Sequence, residues 1–160
     1  CLNPYSLSKW MGEQVCKLYT QLHSIKCYVL RYFNVYGPRE PLKGEYAPVI
    51  GLFKRQVSNG EPMTIVGDGS QKRDFTYIED VVGANMLAGN SNLNYQFRIW
   101  NVGSGKNYSI DKLADMIGNE KIYVSSRPAE VQTTLADISD TVSELGWTPK
   151  HDLELTVKSY

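Results

Sequence analysis

Cys27-Tyr28-Val29-Leu30-Arg31-Tyr32-Phe33 is a short run rich in β-branched and aromatic residues. Its near-continuous apolar character is that of a parallel strand covered on both faces. Asn34-Val35-Tyr36-Gly37-Pro38 ends it in a loop. Before it the period changes. Leu7, Met11, Val15, Leu18 and Leu22 recur at helical spacing. Pro4 suits the first turn of that helix and Asn3 can cap it. A helix feeding a buried strand is the unit from which α/β sheets are built.

The alternation continues downstream. Residues about 46–58 carry Val49, Ile50, Phe53 and Val57 and read as a helix. Met63-Thr64-Ile65-Val66 is a short strand closed by Gly67-Asp68-Gly69. Phe75-Thr76-Tyr77-Ile78 leads into a helix through about Ala88, and Ile99-Trp100-Asn101-Val102-Gly103 is a second buried strand. Ser109 caps a helix containing Ile110, Leu113, Ala114 and Ile117; Lys121 to Val124 is a strand. Thr141 to Leu145 is a short helix stopped by Gly146, with Pro149 beyond it, and Leu153 begins the last one. The fold class is therefore α/β.

Composition excludes several partner classes. Of 160 residues, 42% are apolar and 21% charged, and 17 Lys plus Arg balance 17 Asp plus Glu. The chain has no basic field for nucleic acid or an anionic membrane. No apolar run approaches the roughly 20 residues of a membrane span, and no signal peptide is expected. Cys1, Cys16 and Cys27 fit no zinc or redox spacing and read as free thiols in a reducing cytoplasm. His23 and His151 read as isolated surface or helix-end residues, so no metal site is expected. An opening at Cys1 and an end inside a helical pattern at Tyr160 suggest a piece of a longer chain.

Chemistry concentrates in ordered motifs. In Tyr5-Ser6-Leu7-Ser8-Lys9, Tyr and Lys four apart share one helix face. An ammonium beside a phenol favours the phenolate, bringing its pKa from near ~10 toward neutrality, where it can act as a general base. Glu79 and Asp80 read as helix-start residues, favourable at the amino end of the dipole. Gly67-Asp68-Gly69 lacks a following Gly-Lys-Ser/Thr and reads as a tight turn that aims Arg73.

Asn3-Pro4-Tyr5-Ser6-Leu7-Ser8-Lys9 with Gly12-Glu13 resembles the active-site helix of the NAD-dependent epimerase/dehydratase family, the extended short-chain dehydrogenases/reductases. The resemblance continues through Leu30 to Arg39 and through Gly67 to Val81. It ends in Arg127-Pro128-Ala129-Glu130, Ala136-Asp137 and Leu145-Gly146-Trp147 with Pro149. It implies the trailing half of a doubly wound, Rossmann-like NAD(P)-binding sheet plus a small α/β substrate-binding lobe. Residues 1–36 and about 67–103 would belong to the sheet layer, and about 37–66 and 104–160 to the lobe. The cofactor implied is NAD, with Tyr5 and Lys9 catalytic and Tyr5, Lys9 and Phe33 contacting the cofactor. Asn34, Thr64, Ile65, Val66, Arg73, Arg127, Glu130 and Thr134 would hold a UDP-sugar. Arg73 and Arg127 would grip its pyrophosphate, which suits a guanidinium fork. Glu130 would accept from the ribose hydroxyls. Thr134, seven residues beyond Arg127, would form a wall of the sugar pocket, small enough to admit a 2-acetamido group.

Two features of the family pattern do not occur in this sequence. One is the Gly-x-x-Gly-x-x-Gly turn that seats the NAD pyrophosphate. The other is the Ser/Thr that lies well before the Tyr and bonds the reacting hydroxyl. The loops Arg31-Tyr32-Phe33-Asn34 and Gly44-Glu45-Tyr46-Ala47-Pro48-Val49-Ile50 look like the 4-epimerase form. The expectation is thus 4-epimerisation of a UDP-sugar through a 4-keto intermediate by a cytoplasmic, homodimeric parent enzyme, the 160-residue chain alone being inactive. A 4,6-dehydratase, a decarboxylase or a non-catalytic sugar-nucleotide-binding remnant are the alternatives.

Overall fold

The computed structural model describes residues 3–41, 48–118, 120–126 and 131–160. The long amino-terminal helix α1 (Pro4–His23) leads to β1 (Cys27–Tyr32) and β2 (Val35–Tyr36). There follow α2 (Val49–Ser58), β3 (Met63–Val66), β4 (Lys72–Asp74), β5 (Thr76–Tyr77) and α3 (Ile78–Gly89). Then come β6 (Phe97–Val102), β7 (Asn107–Ser109), α4 (Ile110–Ile117), β8 (Lys121–Val124), α5 (Ser139–Leu145) and α6 (Leu153–Thr156). The strands pair two by two: β1 with β6, β2 with β5 and β3 with β8 in parallel, and β4 with β7 antiparallel. The parallel pairs confirm the α/β reading, since each needs a crossover that a helix supplies.

Two apolar cores organise these pairs. One gathers Val81, Ala84 and Ala88 of α3 against Trp100 and Val102 of β6, and adds Leu145 and Trp147. The other gathers Ile50 and Phe53 of α2, Met63 and Ile65 of β3, Leu113 and Ala114 of α4, and Leu153 and Val157 near the carboxyl end. The β2–β5 pair runs between them, with Tyr36 in the second core and Val35 packed against the first.

β1 departs from the expected burial. It is half-buried along most of its length, and Tyr32 is 49% exposed. Among the described residues β1 pairs with β6 alone, so its other edge and part of its surface are uncovered. The helix α1 shows the same imbalance. Only Glu13 and Thr20 are buried on it, whereas Leu7, Met11, Val15, Leu18 and Leu22 are exposed. What ties α1 to β1 is polar: Arg31 donates Nε and Nη2 to the two oxygens of Glu13, each at 2.6 Å.

Asp80 does more than start a helix. Its carboxylate is buried and accepts the backbone N–H groups of Lys150 and His151, both at 3.1 Å. His151 Nδ1 lies 2.9 Å from the same carboxylate, its Nε2 lies 3.5 Å from Glu79, and its ring stacks at 4.5 Å on Tyr77. The expectation of an isolated histidine is therefore corrected: His151 pins the chain after Trp147 to the start of α3. The helix expected from about residue 46 begins at Val49, and residues 42–47 lie outside the described set. Cys16 and Cys27 are half-buried free thiols, and burial first, then the neighbouring Cys16, pushes the Cys27 thiol up. Cys1 lies outside the described residues.

Candidate functional site

The site grows from the place where β1 stops. Phe33 still donates its N–H to Val102 at 3.0 Å, continuing the β1–β6 ladder. Asn34 then takes φ 26°, a positive value that Asn tolerates better than most residues. The chain bends there and changes partner, so that Val35 pairs with Thr76 on β5. Thr76 closes the corner by donating its N–H to Asn34 and its hydroxyl to the Phe33 carbonyl at 2.7 Å. Asn34 thus sits at the carboxyl end of a parallel strand, where open α/β sheets receive ligands.

The Asn34 amide reaches across to β4 and donates to the Asp74 carbonyl at 2.7 Å. Arg73 precedes Asp74 on that strand. Burial rises along β4 from exposed Lys72 through half-buried Arg73 to buried Asp74, and Arg73 Nη1 donates to the Lys72 carbonyl at 2.9 Å. Residues 132–134 run along the other side of β4. Lys72 donates to Gln132 at 2.8 Å, and Thr134 donates to Lys72 at 3.0 Å. The Thr134 hydroxyl accepts from the Asp74 N–H at 3.3 Å and from the Asn34 amide at 3.4 Å. Asn34, the strand carrying Arg73, and Thr134 therefore meet in one place, although they lie as much as 100 positions apart in sequence. Gly67 and Gly69 both take positive φ in the turn before β4, at 69° and 75°, and Asp68 accepts from the Ser70 N–H and hydroxyl.

Thr64, Ile65 and Val66 lie on β3, paired with Ile122, Tyr123 and Val124. The Ile65 side chain is fully buried in the core, so a ligand contact through it would have to be with the backbone. Thr64 is held by Gln56, which accepts its N–H at 3.1 Å and donates to its hydroxyl at 2.8 Å. Arg127 and Glu130 lie outside the described residues, between β8 and the segment anchored on β4.

Tyr5 and Lys9 occupy the first turns of α1. A reciprocal cap secures that end: Ser6 donates its N–H to the Asn3 side chain at 2.8 Å, and Asn3 donates its N–H to the Ser6 hydroxyl at 3.3 Å. The Lys9 ammonium stands 5.5 Å from the Tyr5 ring centroid, as four-apart spacing requires, and the ring is 70% exposed. Sequence reasoning gave no role to Asp74, the fully buried carboxylate beneath Arg73, or to Asn107, whose amide donates to the Thr134 carbonyl at 3.3 Å. An Asp flanked by Arg73 and Phe75 was a visible signal, because a charge inside an apolar-facing strand must be satisfied there. Among the described residues no cluster of His, Cys, Asp or Glu could hold a metal ion.

A bend at the carboxyl end of a parallel strand, an arginine-bearing strand beside it and a capped amino-terminal helix carrying Tyr5 and Lys9 are the features of an α/β protein of the doubly wound type. The sequence model of the NAD dependent epimerase/dehydratase family matches residues 2–103, and the chain belongs to that family. It is 42% identical, over 98% of its length and 52% of the relative's, to the Methanocaldococcus jannaschii protein named "Putative UDP-glucose 4-epimerase". The UDP-glucose 4-epimerase of Thermotoga maritima, solved with UDP-glucose, superposes with a TM-score of 0.90 at 34% identity, over 97% of this chain and 51% of that one. The UDP-glucuronic acid 4-epimerase of Bacillus cereus, solved with UDP-glucuronic acid and NAD, gives 0.90 at 32% identity, over 99% of this chain and 51% of that one. The chain spans about half the length of the relatives it matches.

The family's cofactor is NAD. The residues present fit one end of it. Phe33 follows the parallel strand β1, and on α1 Tyr5 offers an exposed phenol with the Lys9 ammonium 5.5 Å from its ring; a phenol and an ammonium are of the chemistry that nicotinamide-ribose hydroxyls take. The glycine-rich turn for its pyrophosphate is not in this sequence.

Proposed function

We propose that this chain supplies the catalytic Tyr–Lys pair and the sugar-nucleotide site of a UDP-sugar 4-epimerase. The observation that carries this reading is the convergence of Asn34, the Arg73 strand and the Thr134 segment, in a family member whose solved relatives hold UDP-sugars. Tyr5 takes the proton from the sugar C4 hydroxyl, helped by the Lys9 charge. NAD, when bound, would supply the hydride acceptor and donor for the sugar C4. Arg73 and Arg127 neutralise the diphosphate, Glu130 accepts from the ribose, and Asn34 orients the sugar–diphosphate end. Thr64 and Val66 contribute from β3, and Ile65 does so through its backbone. Phe33 borders the nicotinamide.

Because the cofactor's phosphate turn is not in these 160 residues, the chain alone binds UDP but holds NAD poorly and does not turn over. Two measurements test the reading. Calorimetric titration of the 160-residue chain with UDP should show saturable binding that Arg73→Ala weakens. The protein extended by an NAD-binding half should convert UDP-glucose to UDP-galactose. A 4-keto-6-deoxy product would show a dehydratase instead, and measurable epimerisation by the unextended chain would refute the division of labour.

A further inference from the structure

The most heavily bonded side chain beside this site is one that touches no ligand position. Asp74 is 0% exposed. Its Oδ1 accepts from the Ser104 N–H and the Ser104 hydroxyl, both at 2.7 Å. Its Oδ2 accepts from the Gly105 N–H and the Ala136 N–H, both at 3.0 Å. A carboxylate is acceptor-only and can take about four donors; all four arrive here, from two chain segments. The turn between them is built around it, for a Cβ on Gly103 would stand 3.0 Å from Oδ2 and collide with the Ala136 side chain.

The backbone of the same residue carries the site. Its carbonyl accepts the Asn34 amide at 2.7 Å, and its N–H donates to Thr134 at 3.3 Å. Its neighbour on β4 is Arg73. The carboxylate therefore fixes, from below, the strand on which the diphosphate-binding arginine rides. It also fixes the residue 134–136 segment and, through one carbonyl, the rotamer of Asn34. No other acidic side chain among the described residues accepts hydrogen bonds from both the turn after β6 and the residue 134–136 segment.

We propose that Asp74 is the positioning residue of the sugar-nucleotide site, setting Asn34, Arg73 and Thr134 in a common geometry for the nucleoside diphosphate. This rests on the function proposed above and adds to it a part that lies outside the contact set. The carboxylate moves no proton and meets no reacting atom, so its loss acts on affinity.

The test is Asp74→Asn, which keeps the shape but turns an NH₂ group toward backbone N–H donors. Titrated with UDP at a temperature where circular dichroism shows both proteins folded, the variant should bind on the order of tenfold more weakly, the size expected when buried donors lose an acceptor. A merely structural role would lower the melting temperature and leave that affinity unchanged, which would overturn the proposal. In an Arg73→Ala background, Asp74→Asn should cost less than it does alone, because part of its effect runs through Arg73 and only the part through Asn34 and Thr134 remains; fully independent, multiplying losses would also overturn it. If Asp74→Asn does not fold, Ser104→Ala removes a single donor and should weaken UDP binding several-fold, with unchanged binding counting against the proposal. Should the unaltered chain bind no UDP, the function proposed above fails for this chain. The positioning role is then decided by NMR: the Asn34 side-chain amide must shift and lose exchange protection in Ser104→Ala, and an unmoved resonance sinks it.

Discussion

At the scale of single residues, Thr134 shows how a position can have two duties. Its hydroxyl ties Asn34 to Asp74, and in the proposed site its small side chain would leave one wall of the sugar pocket open. Two substitutions separate these in an enzyme extended by its NAD-binding half. Thr134→Val keeps the volume and removes the acceptor; kcat/KM for UDP-glucose and UDP-GlcNAc should fall together by a few-fold, as one modest hydrogen bond allows. Thr134→Tyr adds bulk, and filling an occupied site costs about 1–3 kcal/mol. It should reduce the acetamido substrate selectively, by roughly 5- to 150-fold beyond the common loss. Equal losses from Tyr and Val would show that Thr134 ties but does not gate. Tyr5→Phe in the same enzyme should lower kcat by ~10²–10⁴, the usual worth of a general base, while UDP affinity holds. The residue types and their order were legible in the sequence, because Tyr, Lys, Asn and Arg announce their chemistry. The hydrogen bonds among Asn34, Asp74 and Thr134 were not, since a contact spanning 100 positions is decided by the fold.

At the scale of elements, α5 illustrates how a short helix is held. Seven residues are too few to be stable alone, so its place depends on tertiary contacts. Leu145 and Trp147 supply apolar contact, and Glu144 joins α5 to β6 by accepting from Arg98 Nε at 2.7 Å and from Trp100 Nε1 at 3.0 Å. The Arg98 hydrogen bonds hold the Glu144 carboxyl below its ordinary range, while partial desolvation opposes them. A group whose folded pKa is depressed stabilises the fold above its unfolded pKa, near ~4.3 for Glu, and that contribution is lost as pH falls through the folded value. Tryptophan emission should therefore report loosening of α5 as pH drops below about 4. Glu144→Gln should remove that acid-sensitive component; an unchanged acid transition in the variant would refute the assignment. The elements themselves were largely readable. Helical spacing located α1 and α4, the Ser109 cap marked a start, and Gly146, at φ 68°, marked a stop. The strands β2, β4, β5 and β7 escaped notice because two or three residues carry no measurable alternation. Their pairing comes from the Asn34 bend and the Asp74 clamp instead.

At the scale of the whole molecule, the uneven burial of α1 leads to a prediction about the chain in solution. Leu7, Met11, Val15, Leu18 and Leu22 repeat as an apolar stripe, which suggested a helix facing a core, yet they are 45%, 54%, 53%, 50% and 65% exposed. Trp10 and Tyr19 add exposed aromatic surface, and the β1 edge away from β6 is unpaired among the described residues. The chain spans about half of its solved relatives, so a stripe legible in sequence need not find its cover within these 160 residues. Contiguous apolar surface of this kind drives association. Fully burying a Leu side chain is worth about 1.5–3 kcal/mol, so even partial cover of two or three of them favours self-association at high micromolar concentration. Sedimentation velocity of the chain should show a mass that rises with concentration, and a hydrophobic dye should bind it. Leu18→Lys with Leu22→Lys, at positions 50% and 65% exposed, should restore a single monomeric species while the far-UV spectrum keeps its helical signal. A chain that stays monomeric and dye-free at about 100 µM would show that the stripe is too dispersed to act as a surface. Association that persists through the double substitution would place the contact on the open edge of β1, the other uncovered feature of the same half-sheet.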